Sequence, residues 1–297
     1  MGFIVAQVFG HAAFGLIMRH ARTDPQTYFK VGAVNYWTAM LMALTAALLA
    51  GGLSFEWPVS LLAVYQGVNY HFAYIVLFAL IAVGGLAVTF TVLRISVVIP
   101  IVGSIIFWGE SPDIVRIAGI ILTLAALPLL GADARRTAGP AGVRTPALLM
   151  LLTMLMTGTG SLAAKSFAEI SAESNALDYA AFAFMGAAVG TVLTLPLVSR
   201  IARRHRENSR AVSYPKARPW KTWLALGMAL GAANFSQNAA MVRALTELPG
   251  TLVFPVVLSS YLLLILLADY VIWKRRLGKV TLAGVFLAIG GLVLANL

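Results

Sequence analysis

Cysteine is absent from the 297 residues, which removes disulfides, thiolate nucleophiles and thiolate metal sites from consideration. Charge is nearly as scarce. Only 11% of the residues are Asp, Glu, Lys or Arg, against roughly a quarter in a soluble domain, too few to cover a water-soluble surface. Alternation in short segments of about ten residues is missing too, which argues against a membrane β-barrel. No Gly-x-x-x-x-Gly-Lys-Ser/Thr run occurs, so direct use of ATP is not expected. The four histidines, at 11, 20, 71 and 205, are scattered, and Glu110, Asp113, Glu169, Glu173, Asp178, Glu247 and Asp269 stand mostly at predicted helix ends. A membrane-embedded enzyme would need such groups clustered.

What is present is long apolar sequence, with 60% of residues hydrophobic. Val31 to Gly52 and Tyr74 to Leu93 contain no charged residue, and each is long enough to cross a hydrocarbon core of about 30 Å as a helix. The first half reads as spans Gly2 to Met18, Val31 to Gly52, Asn69 to Thr89, Leu93 to Trp108 and Asp113 to Leu130. The second reads as Ala147 to Phe167, Tyr179 to Val198, Trp223 to Val242, Thr251 to Trp273 and Val280 to Leu297. Gly2 to Met18 is kept as a span because it lacks a basic leader and runs into Arg19 without a small-residue cleavage site. Asn69 to Trp108 as one helix would measure about 60 Å, so a turn is expected near Thr89 to Arg94, beside the one charge inside it. Ser54 to Gly67, with Glu56, Pro58 and Gln66, reads as an interfacial segment.

The fold expected is therefore an all-α integral membrane protein of about ten transmembrane helices. The Gly, Pro and Arg stretch 132–146 divides it into a first repeat, 1–131, and a second, 147–297. Laid together without a gap, Trp108, Val115, Ala118, Gly119, Leu122, Leu127 and Leu129 fall on Trp273, Val280, Ala283, Gly284, Leu287, Leu292 and Leu294. An odd helix count per half makes the second half enter the membrane in the opposite sense, giving two inverted five-helix repeats.

The net charge of +11 invites a nucleic-acid reading, but the basic residues sit in short loops. All of the 22 lysines and arginines except Arg116, Lys165 and Arg243 fall in or beside loops that follow odd-numbered spans. The positive-inside rule then places those loops in the cytoplasm and both termini outside.

Trp108-Gly109-Glu110-Ser111 leading to Gly119, and Leu248-Pro249-Gly250-Thr251, Phe254-Pro255 and Lys274-Arg275-Arg276-Leu277 leading to Gly284, resemble the EamA-like ten-helix transporters of the drug/metabolite transporter superfamily. The resemblance covers nearly the whole chain through its five-plus-five layout. It implies transport of amino acids, metabolites or drugs, usually outward, and both termini in the cytoplasm, opposite to the basic-residue pattern. The second half carries Arg275 where that family has the Glu of its Gly-Glu step. No carboxylate stands mid-membrane in the first span, so the proton-coupled exchange of cations of the small multidrug relatives is not expected.

Polar groups within spans are costly and mark candidate sites. Thr157, Ser161 and Lys165 recur every four residues on one helix face, so Lys165 either reaches a buried anionic group or snorkels to the headgroups. Asn234, Gln237 and Asn238 lie on one face near the middle of the eighth span, away from Gly227-x-x-x-Gly231, the better packing motif. Gln7 and His11 share a face of the first span, His11 being the candidate for protonation. Tyr70, His71 and Tyr74 open the third, where Tyr70 reads as an interfacial belt residue and Tyr74 as a substrate contact. Pro100 and Pro255 interrupt the fourth and ninth spans as kinks or gates, and Gly186-x-x-x-Gly190 reads as close helix packing.

The function expected is secondary active transport, as exporter or exchanger, of a small organic metabolite, amino acid or drug by alternating access. The substrate contacts are His11, Tyr74, Lys165, Asn234, Gln237 and Asn238. The alternative readings are a membrane-embedded enzyme or flippase acting on a lipid-linked substrate, and a structural or channel-forming subunit. No catalytic residue, metal or cofactor is expected. The partners are a small-molecule substrate and the lipid bilayer, with no nucleic acid, in a monomer or homodimer placed as a multi-pass protein of a bacterial inner membrane.

Overall fold

The computed structural model describes residues 2–20, 25–57, 59–130, 147–170, 176–208, 219–272, 274 and 278–295. The expected linker 132–146 lies outside them. The described residues form α1 (Gly2–His20), α2 (Pro25–Leu49), α3 (Val59–Ile95), α4 (Val98–Trp108), α5 (Ile114–Leu130), α6 (Ala147–Ile170), α7 (Ala176–Asn208), α8 (Trp220–Glu247), α9 (Gly250–Val271) and α10 (Lys279–Ala295), and no strand. Thr27–Leu49, Ala147–Ile170, Ala176–Pro196 and Gly250–Ala268 are long and apolar enough to cross a bilayer, and Gly2–Met18, Val98–Trp108, Ile114–Ala126 and Lys279–Leu294 form shorter apolar helices.

Two expectations about α3 are corrected. Val59 to Gly67 is helical and belongs to α3, because Ser60 and Gln66 are buried and Gly67 lies against α7. A Cβ at Gly67 would overlap the Ala183 carbonyl oxygen, so only glycine permits that approach. The polar stretch before it ends in mutual bonds, Ser60 N to Glu56 O at 2.8 Å and Glu56 N to Ser60 Oγ at 3.1 Å. The second correction concerns the break between α3 and α4, which falls at Ser96 and Val97 and not at Thr89 to Arg94. Pro100 is the physical reason. It has no N–H for the Ser96 carbonyl, and its ring crowds that carbonyl, so Ile99 N donates to Ser96 O instead, at 3.1 Å. Pro100 therefore sits in the first turn of α4, where a missing N–H breaks no bond within that helix, whereas Pro255 lies inside α9.

The chain forms two compact units that each draw on both sequence halves. The first unit holds Met1–Phe9, Phe72–Ile170 and Met241–Leu297. In it α5 packs on α10, α4 on α6 and α9, and α9 also on α5 and α10. Small residues permit these approaches: a Cβ at Gly291 would come within 2.7 Å of Thr123 N and 2.9 Å of Gly119 O, and Gly103 and Gly158 face Leu162 and Ile99. The second unit holds Gly10–His71 and Ser171–Ala240, with α2 packed on α7. Here Gly227 and Gly231 of α8 face α2: a Cβ at either would stand 2.6 Å from Val34 Cβ or from Asn35 O and Thr38 Cβ. Gly186 and Gly190 of α7 meet Val64 and His71 of α3 in the same way.

Candidate functional site

The second unit contains a hydrogen-bonded network of uncharged polar side chains. Because Gly231 lets α8 approach α2, Asn234, one turn further on, reaches Asn35: Asn234 Nδ2 donates to Asn35 Oδ1 at 3.2 Å. Asn234 Oδ1 in turn accepts from Gln237 Nε2 at 3.2 Å and from Asn238 Nδ2 at 2.8 Å. Tyr70 Oη donates to Asn238 Oδ1, Tyr36 Oη donates to the Tyr70 carbonyl at 2.8 Å, and the Tyr70 ring stacks on Phe184 with centroids 5.9 Å apart. His71 Nε2 lies 2.6 Å from Thr194 Oγ1, and its ring meets Tyr36 edge to face. Asn35, Asn234 and Gln237 are buried. Asn35 Nδ2 and Gln237 Oε1 are buried with no hydrogen-bond partner, a donor and an acceptor whose desolvation costs about 1 to 3 kcal/mol each.

The predicted amides Asn234, Gln237 and Asn238 thus come together. His11 belongs to the same unit and follows Gly10, whose missing side chain lets α1 close on Gln237; a Cβ there would stand 3.0 Å from Gln237 Cβ. Tyr74 is buried in α3 but belongs to the first unit. Tyr70 is corrected from a belt residue to a member of the network, since it lies a dozen residues into α3 and its hydroxyl is bound to Asn238. Asn35 and Tyr36 were not singled out by sequence, although for Asn35 an amide within an apolar run is the very signal that marked Asn234.

Lys165 anchors a separate, charged cluster in the first unit. The left-handed Gly109 (φ 64°) caps α4, with its N–H directed to Ser104 O, and turns the chain so that Glu110 leaves the helix. Glu110 Oε1 accepts from Gly250 N at 2.7 Å, and Oε2 from Thr251 N at 2.8 Å. These are orphan amides of α9, whose N-cap Pro249 supplies no side-chain cap, so Glu110 does that work from another segment. Lys165 Nζ, with its side chain 2% exposed, lies 2.9 Å from Glu110 Oε1, pairs also with Glu169, and sits 5.9 Å from the centre of the Trp108 ring. Burial pushes the Glu110 carboxyl up, but bonds from Lys165, from the Thr251 amide and hydroxyl and from the Gly250 amide outweigh it and leave the carboxyl below its ordinary value. Ser161, on the face expected to carry Lys165, bonds back to the Thr157 carbonyl at 3.2 Å. Among the described residues no three His, Asp or Glu come together as metal ligands.

Comparison with known proteins adds one family and one fold. The family described as "EamA-like transporter family" matches residues 144–297. No curated protein matches the chain. A solved structure, described only as "Crystal structure of protein", aligns over 99% of this chain and 95% of its own with a TM-score of 0.72 at 16% identity, a likeness of fold.

Proposed function

This chain belongs to the EamA-like transporter family, within the drug/metabolite transporter superfamily, and from that membership we propose that it is a secondary transporter that moves a small polar organic solute by alternating access. The observation that carries the reading is the uncharged network of α2, α3 and α8. In a chain with so little polar material, Asn35, Tyr70, Asn234, Gln237 and Asn238 are gathered together, and a buried donor and acceptor are left over. A solute that offers one acceptor and one donor relieves both.

The proposed solute contacts are Asn35, Asn234, Gln237 and Asn238, with Tyr70 as the aromatic wall and His11 from the same unit. Lys165 and Tyr74 lie in the other unit, and the charge of Lys165 is met by Glu110 and Glu169. Two inverted five-helix halves remain part of the proposal. They are supported by which helices pair: α2 packs on α7, α4 on α9 and α5 on α10, each helix on its counterpart five places along. Pro255 frees the Thr251 carbonyl inside α9 and is the proposed hinge. The setting proposed is the inner membrane of a bacterium.

The test is binding followed by flux. A thermal-unfolding screen of the purified chain against polar metabolites finds the solute, because a ligand of the folded state raises its apparent stability. Saturable uptake of that solute into proteoliposomes supports transport, and binding without flux contradicts it.

A further inference from the structure

We propose that Lys165, Ser104 and the amides of Gly250 and Thr251 form a recognition site for the carboxylate of a dissolved solute, held by the Glu110 side chain until the solute replaces it. This adds a solute class, an organic anion, to the transport reading and rests on that reading for its purpose, although the binding test below does not.

Four observations support the assignment. The Glu110 carboxylate is held through both oxygens, Oε1 by Gly250 N and Lys165 Nζ and Oε2 by Thr251 N, which is the planar two-oxygen arrangement that any carboxylate presents. The donors belong to α6 and α9, while Glu110 arrives from the connection after α4, so the ligand is separable from its site. Ser104 Oγ, fully buried against Gly250, has no hydrogen-bond partner, and a Cβ at Gly250 would collide with it. The site thus holds one hydroxyl more than Glu110 uses. Finally, Lys165 has a second carboxylate, Glu169, whose side chain is 38% exposed, so its charge stays partly compensated when Glu110 moves away.

Replacement has a charge balance. One carboxylate enters as another leaves, so the charge facing Lys165 is unchanged by the exchange. The charged groups that face the site are Lys165 and Glu169 from α6, while α9 contributes only amides and the Thr251 hydroxyl. Asp113 is committed elsewhere, accepting from Val115 N and Arg116 N at 2.9 Å and pairing with the Arg116 side chain.

The experiment follows binding of sodium formate to the full chain in detergent by thermal unfolding. Sodium chloride at equal ionic strength is the reference, and inorganic phosphate the tetrahedral control. Glu110→Ala removes the resident carboxylate, so formate should bind about tenfold or more tightly to it than to the parent. Lys165→Gln added to Glu110→Ala should abolish the gain. If the alanine variant does not fold, Glu110→Gln keeps the volume and should show the same direction of change. Formate acting no differently from chloride on the Glu110 variants, or acting equally after Lys165→Gln, would overturn the site. A response to phosphate equal to that to formate would overturn its assignment to carboxylates. Failure here with saturable flux of an uncharged solute would leave the transport reading standing.

Discussion

Glu110 Oε1 stands 2.9 Å from Lys165 Nζ and 2.7 Å from the Gly250 amide, so one carboxylate ties the end of α4, the body of α6 and the start of α9 together. All three partners come from segments far apart in the chain. The Gly-Glu step after α4 and the Pro-Gly-Thr step before α9, which carry the family resemblance, are thereby the two sides of one contact.

Loss of that contact should be visible as acid sensitivity. The folded-state pKa of Glu110 lies below its ordinary value of 4.5. A depressed carboxylate contributes stability that is fully present above the unfolded value and is lost as pH falls through the folded one. The unfolding midpoint of the parent should therefore fall below about pH 4.5, and Glu110→Gln should flatten that limb and lie below the parent near neutrality. An unchanged acid limb in the variant assigns it to other carboxylates.

Lys165→Met should destabilise the chain by about 2 to 4 kcal/mol, because Glu110 is left mostly buried without its cation. Denaturant or thermal unfolding in one detergent measures it. A loss below about 0.5 kcal/mol, the size of an exposed pair, would mean that the ion pair is solvated and holds nothing.

Close approach of α3 to α7 predicts that Gly67→Ala is among the most damaging single methyl additions. Its Cβ would overlap the Ala183 carbonyl oxygen, which is backbone and cannot rotate aside. Overpacking of this kind costs about 1 to 3 kcal/mol. Gly290→Ala is the control, since a Cβ there meets nothing within 4 Å. Equal stability of the two variants would refute the packing of α3 on α7.

If the ten helices among the described residues all cross the bilayer, both termini lie on one side, and the basic residues after odd-numbered spans predict that this side faces away from the cytoplasm. A reporter active only in the cytoplasm, fused after Leu297, should be silent. Activity there reverses the orientation and restores the one that the family resemblance implies.

Helix identity was legible in the sequence because apolar runs of bilayer length leave the backbone no other way to satisfy itself. The course of α3 was not, since the break depends on Pro100 acting four residues upstream, on Ser96, and not on the nearby charge of Arg94. Asn234, Gln237 and Asn238 were legible as one face of one helix. Asn35 and Tyr70, which complete their network, were not, because periodicity within a helix says nothing about which neighbour that face meets. The same limit hid the contact of Glu110 with Lys165 and with the Gly250 and Thr251 amides, which lie on segments far away in the chain.

The central claim is that solute meets the amide network, and Asn234 is its hub, bonded to Asn35, Gln237 and Asn238. Once a solute is identified, its dissociation constant and its saturable uptake into proteoliposomes should be measured for the parent and for Asn234→Leu and Asn238→Leu, each checked for normal folding. Binding should weaken by about 1 to 3 kcal/mol, roughly tenfold or more, with flux falling in parallel. Parental affinity and flux in both variants would contradict the claim and reduce these amides to links between helices.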